Sequence, residues 1–165
     1  MIERKPEDTA MHILDTQAYL NTVCDMLAQG QTLVPVPVAG TSMCPFLHPG
    51  DTVYLSAPDR SPEVGDILLF RRPTGTYILH RVIGITPEGR LWLLGDSQLT
   101  KEAVHPAWVR GIVVRARRKG RVITPEDSAW QFYRRPWTRL SPVRKPILAL
   151  HKLLKPCCRK SGENA

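Results

Sequence analysis

The sequence predicts a mainly β fold: a small, coiled, barrel-like antiparallel sheet with one N-terminal helix and a basic C-terminal appendage. Three observations point there. The 15 prolines and 11 glycines punctuate 165 residues so densely that short strands suit the chain better than long helices. Five short apolar runs, DTVYLSA, GDILLFRR, TYILHRVIGI, RLWLLGD and WVRGIVVRAR, follow one another between turn-rich pieces such as PDRSPEVG, PTG, TPEG and DSQ. A hydrophobic content of 42% supplies enough apolar material for one core, at a length that fits one domain with appended ends.

In chain order, residues 1–13 read as a loose, charged leader. Over 15–29 the apolar residues Ala18, Tyr19, Leu20, Val23, Met26 and Leu27 recur at helical spacing, and Gly30 follows as a stop, so one amphipathic helix is expected there. LVPVPVAG is β-branched but interrupted by Pro35 and Pro37, which restricts it to an edge strand or an extended segment. TYILHRVIGITPEGRLWLLGD reads as a hairpin turning at residues 87–89. From about Gly120 the pattern changes to arginines mixed with aromatics, then to PILALHKLLKPCCRK, a candidate short basic helix with leucines on one face. The expected organisation is therefore a leader and helix over 1–30, a β domain over 31–119 and a basic aromatic tail over 120–165.

The net charge of +8 is one-sided. Residues 1–109 carry 8 basic and 12 acidic side chains and residues 110–165 carry 15 and 3, so all the excess positive charge lies behind Val109. Such a tail favours an anionic partner over core packing, and solvation alone is the plainer alternative. Cys24, Cys44, Cys157 and Cys158 form no C-x-x-C pair and no zinc spacing, which reads as reduced thiols in a cytosolic setting. The N-terminus has no apolar stretch of the signal-peptide kind, and no apolar run approaches the ~20 residues that cross a bilayer. No metal or organic cofactor is implied.

The chemistry concentrates in VAGTSMCPFLHPGD, residues 38–51. Gly40 and Gly50 permit backbone conformations that a β-carbon hinders, and Pro45 and Pro49 stiffen the loop. Ser42 thus sits on a tight connection between strands, where a serine serves either as an exposed nucleophile or as a turn residue bonded to its own backbone. A nucleophilic serine needs a base, and no lysine lies between Lys5 and Lys101. The histidines are His12, His48, His80, His105 and His151. His80 stands in the apolar strand YILHRVIGI, where an imidazole is costly unless it is hydrogen-bonded or reaches a cleft. Asp96, at the end of the strand returning beside His80, is the candidate to orient the imidazole, with Glu102 a weaker substitute.

On these residues a resemblance can be stated. Gly40-Thr41-Ser42-Met43-Cys44-Pro45 followed by Gly50-Asp51 resembles the nucleophile motif of the superfamily of type I signal peptidases and LexA-type self-cleaving repressors. Gly65-Asp66-Ile67-Leu68-Leu69-Phe70 resembles its Gly-Asp-apolar strand, and His80-Arg81-Val82-Ile83 the block carrying the base. Gly95-Asp96 resembles the downstream Gly-Asp of the branch whose base is histidine (the endoplasmic-reticulum, archaeal and sporulation-type signal peptidases). The resemblance covers roughly residues 31–115 and rests on four blocks in order. It implies a serine endopeptidase with Ser42 as nucleophile, His80 as base and Asp96 assisting, and with Gly40, Met43, Pro45 and Tyr77 contacting the peptide. Three departures stand out: no apolar run of anchor length is seen, Gly40 supplies no hydroxyl to an oxyanion hole, and Ser97-Gln98-Leu99-Thr100 replaces the acidic residues that often follow Gly-Asp.

The expected reaction is hydrolysis of a precursor protein or peptide, with the peptide extended beside the strand edges at 36–39 and 77–80. A histidine base implies activity rising through pH ~6–7. The expected setting is cytoplasmic, with peripheral contact to an anionic membrane through the tail as a further expectation. Two other classes remain: an inactive peptide-, lipid- or nucleic-acid-binding module on the same fold, with nucleic acid the least favoured partner, and a self-cleaving regulator, for which the residues before Leu33 are too few to form a helix-turn-helix domain.

Overall fold

The computed structural model describes residues 6–139, with side chains from 16 to 138. The leucine-faced helix expected near 148–154, His151, Cys157 and Cys158 lie outside the described residues, as do residues 1–5 of the leader.

The described chain is mainly antiparallel β. Eight strands, β1 (Val34–Pro37), β2 (Thr52–Ser56), β3 (Ile67–Arg71), β4 (Tyr77–Ile85), β5 (Leu91–Leu94), β6 (Glu102–Val104), β7 (Val109–Arg118) and β8 (Arg121–Ile123), join one sheet. Its order is β1-β2-β7-β3-β4-β5-β6, with β8 pairing β7 as a short hairpin. The path ends at β1 and β6, so the barrel-like sheet expected from the strand pattern is open rather than closed. The 87–89 hairpin forms between β4 and β5, closed by Thr86 N–H to Arg90 O at 2.8 Å and turning through Gly89 at φ 78°.

β3 is buried on both faces, which is why its apolar residues run consecutively instead of alternating. Ile67 and Leu69 belong to one core cluster, with Val36, Val53, Leu55 and Val113. Leu68 and Phe70 belong to a second, with Val82, Leu91, Leu93 and Ile112.

Helix α1 spans Pro6–Ala28, so residues 6–13, expected as loose leader, are helical. It ends where Gly30 at φ 83° lets the chain turn back: Gly30 N–H bonds Leu27 O and Gln31 N–H bonds Met26 O, both at 3.0 Å. Val23 and Leu27 carry its buried face. A β-carbon at Gly111 of β7 would lie 3.0 Å from Leu27 Cδ1 and 3.4 Å from Leu55 Cβ, so the bare glycine lets the helix settle on the strand.

The segment after residue 119 is not a bare appendage within its described part. It continues as β8, α2 (Ser128–Arg134) and α3 (Pro136–Arg139), and Trp130 of α2 enters the first core cluster at 3% exposure. A fully desolvated tryptophan binds this segment to the β domain through its apolar area, whatever the charge around it.

Candidate active site

The 40–51 connection is pinned from three sides. Phe46 is buried between the Arg81 guanidinium, 5.0 Å above its ring, and Trp130 and Tyr133 of α2, at centroid distances of 5.4 and 5.0 Å. Asp51 accepts from His48 N–H at 2.9 Å and from the Arg118 guanidinium, which also reaches Phe46 O. The Cys44–Pro45 peptide is cis.

The third clamp acts on Ser42 itself. Ser97 donates its backbone N–H (2.9 Å) and its hydroxyl (3.0 Å) to Ser42 O, and the hydroxyl also reaches Thr41 O at 3.0 Å. A β-carbon on Gly95 would stand 2.7 Å from Ser42 O, so only glycine lets these two loops meet. The loop carbonyls are thus held from behind. The N–H groups of Gly40, Thr41, Ser42 and Met43 make no hydrogen bond among the described residues. A row of unpaired N–H donors beside a serine suits a developing oxyanion.

Ser42 and His80 line the same cleft, of about 1220 Å³, between α1, β1, β4 and the 97–102 segment. The Ser42 hydroxyl makes no hydrogen bond among the described residues, so Ser42 and His80 are neighbours on one cleft and not a formed pair. Of the other histidines with described side chains, His105 accepts from Ala107 N–H at 3.2 Å to cap a 3-10 turn, and His48 Nδ1 lies 3.9 Å from Cys44 Sγ. Neither lines the cleft.

His80 is 5% exposed. Its Nδ1 faces Glu102 Oε1 at 3.4 Å, within ion-pair reach but outside hydrogen-bond geometry. This leaves Nε2 as the nitrogen available to the cleft. Glu102 is fixed in turn by a two-pronged contact from Arg72, Nε to Oε2 at 3.0 Å and Nη2 to Oε1 at 2.8 Å. Burial holds the His80 pKa below its ordinary 6.5; the Glu102 charge opposes that shift, Arg72 adds to it and Asp96 opposes it. Burial therefore favours the neutral ring, the state a base requires.

Asp96 is not the carboxylate at His80. It is wholly buried, and both of its oxygens are taken by Arg81, at 2.8 and 2.7 Å. Sheet register explains this. Arg81 pairs with Leu94, so Asp96, two residues on, shares the Arg81 face and turns away from the adjacent His80. Glu102 pairs with Leu93 and Leu93 with Val82, which puts Glu102 on the His80 face. Arg81 also donates to Gly65 O at 3.0 Å, so this one side chain ties the Gly65-Asp66 and Gly95-Asp96 loops together.

Gly40, Met43 and Tyr77, expected to contact peptide, line the cleft, although Met43 is 1% exposed and mostly core. Pro45 does not line it. Arg72, Ser97 and the orienting position of Glu102 carry no motif of their own; only the pairing of β6 with β5 brings Glu102 within reach. Among the described residues no group of three or more His, Cys, Asp and Glu side chains is arranged to hold a metal ion, and no helix is long and apolar enough to cross a membrane. Comparisons with protein-family models, with curated proteins and with solved structures found no match.

Proposed function

We propose that this chain is a serine endopeptidase with a signal-peptidase/LexA-type fold, using Ser42 as nucleophile, His80 as general base and Glu102 to orient the imidazole. The observation that carries the reading is a serine and a buried, carboxylate-backed histidine lining one cleft.

Ser42 Oγ attacks the scissile carbonyl and its proton passes to His80 Nε2. Glu102, held by Arg72, steadies the imidazolium that forms. The oxyanion is met by loop N–H donors, Ser42 N–H among them. Collapse of the tetrahedral intermediate returns the proton to the leaving amine. Water, deprotonated by the same imidazole, then releases the acyl group and restores the serine. The Ser42–His80 hydrogen bond forms as substrate fills the cleft.

The test is labelling by a small serine-directed acylating probe such as a fluorophosphonate. Wild type should label at Ser42, Ser42→Ala not at all, and His80→Ala at least a hundredfold more slowly, the lower range of what a positioned base contributes. A wild-type protein that never labels would make the cleft a peptide-binding groove without chemistry.

A further inference from the structure

The two free strand edges of the cleft run the same way. Four successive antiparallel pairings, β1 with β2, β2 with β7, β7 with β3 and β3 with β4, leave β1 and β4 parallel. β4 leads from Tyr77 to His80 and β1 leads through Ala39 toward Ser42, so both edges run toward the reacting pair. Over 77–80 β4 pairs only with β3, because its pairing with β5 begins at Arg81.

Helix α1 is tied across the start of both edges. Tyr19 donates its hydroxyl to Pro35 O of β1 at 2.8 Å, and Asn21 Oδ1 accepts the Tyr77 hydroxyl of β4 at 2.8 Å. Thr16, Tyr19 and Leu20 form that end wall of the cleft. The Tyr77 phenol is pushed up to about 12, by burial first and then by the Cys24 thiol, so it remains a donor at working pH.

β1 also offers an unusual edge. Val38 N–H bonds Asp51 O across to the β2 side, and Val34 and Val36 share its orientation. The peptide groups of Pro35, Pro37 and Ala39 therefore point outward. Neither proline has an N–H, and Tyr19 occupies the Pro35 carbonyl. The outward groups left for a peptide are the Pro37 carbonyl and the Ala39 peptide.

We propose that α1 is a stop that closes one end of the substrate groove, so that on that side of the scissile bond only about three residues bind in extended form. From Tyr77 to His80 is three steps along the strand, roughly 10 Å at ~3.3 Å each. A longer chain must leave the sheet at Tyr19. This rests on the peptidase reading above, since it takes Ser42 and His80 as the reacting end.

The test uses peptidyl α-ketoamides, reversible serine-directed inhibitors that can be lengthened by one valine at a time on either side of the reactive carbonyl. The small acylating probe is run in parallel on the same protein. In wild type, affinity should improve roughly two- to tenfold per added residue, as main-chain hydrogen bonds accrue, and on one side stop improving after about three. Tyr19→Ala, which clears the wall and frees the Pro35 carbonyl, should move that plateau out by about two residues. Asn21→Ala, which unties α1 from β4, should also lengthen it and serves if the first variant does not fold. Continued improvement beyond five residues on both sides in wild type, or a plateau that neither variant moves, overturns the stop while leaving the peptidase reading intact. Silence of Ser42 toward the small probe overturns both.

Discussion

His80 and Arg81 are neighbours in β4 that answer to different carboxylates, and the division has measurable consequences. Arg81 and Asp96 are both fully buried, so removing either strands the other charge in the core. Asp96→Ala should cost about 3–5 kcal/mol, read by urea unfolding. Glu102 is part-exposed beside His80, and Glu102→Gln should change stability by less than about 1 kcal/mol. Its effect belongs in the pH profile. Burial already sets the His80 pKa below 6.5, so the acid limb of activity should fall below that value, lower than the sequence alone implies. The Glu102 charge raises the His80 pKa and the Arg72 charge lowers it. Glu102→Gln should therefore move the limb to lower pH and Arg72→Met to higher pH, in rates of Ser42 labelling against pH. Limbs unmoved in both variants would remove Glu102 from the mechanism. The sequence made Ser42 and His80 legible because a glycine-proline loop and a polar residue in an apolar strand are local signals. It pointed to Asp96 because Gly95-Asp96 closes the returning strand. Which face a side chain takes depends on register, and register is not written in any one segment.

At the scale of elements, the loop that carries Ser42 depends on a helix more than 80 residues downstream in the chain. Phe46 is held by Trp130 and Tyr133 of α2, and Arg81 closes the stack from the other side. Trp130→Ala should cost about 3–5 kcal/mol and lower Tm, with Ser42 labelling falling even well below the melting point because Phe46 loses its support. A change in stability with labelling unaltered would separate α2 from the site. The longer strands were readable, since apolar runs between Gly/Pro turns match β2, β3, β4, β5 and β7 closely. β6 and β8 were not, because three residues such as Glu102-Ala103-Val104 are too few to display a period and form by pairing with a neighbour already in place. In the sequence α2 reads as tail because arginines surround its aromatics. Its burial comes from Trp130 meeting Phe46, a contact between segments that no window spans.

Over the whole molecule, part of the positive charge that the sequence assigns to a tail is engaged within the fold. Arg118 is bound to Asp51, and Arg134 reaches Glu63 at 3.1 Å and Asp66 at 3.8 Å. These pairs link the end of β7 to the 40–51 connection and α2 to the segment that leads into β3. The path of the open sheet ends at β1 and β6, and β1 is the end beside the cleft. An open edge invites another copy of the same chain to add itself, the first step of fibre growth. Two β1 edges brought together would meet with no N–H at Pro35 or Pro37 and with the Pro35 carbonyl already taken by Tyr19. The prolines thus act as a one-way valve: the edge accepts a chain that brings its own N–H groups and refuses its own likeness.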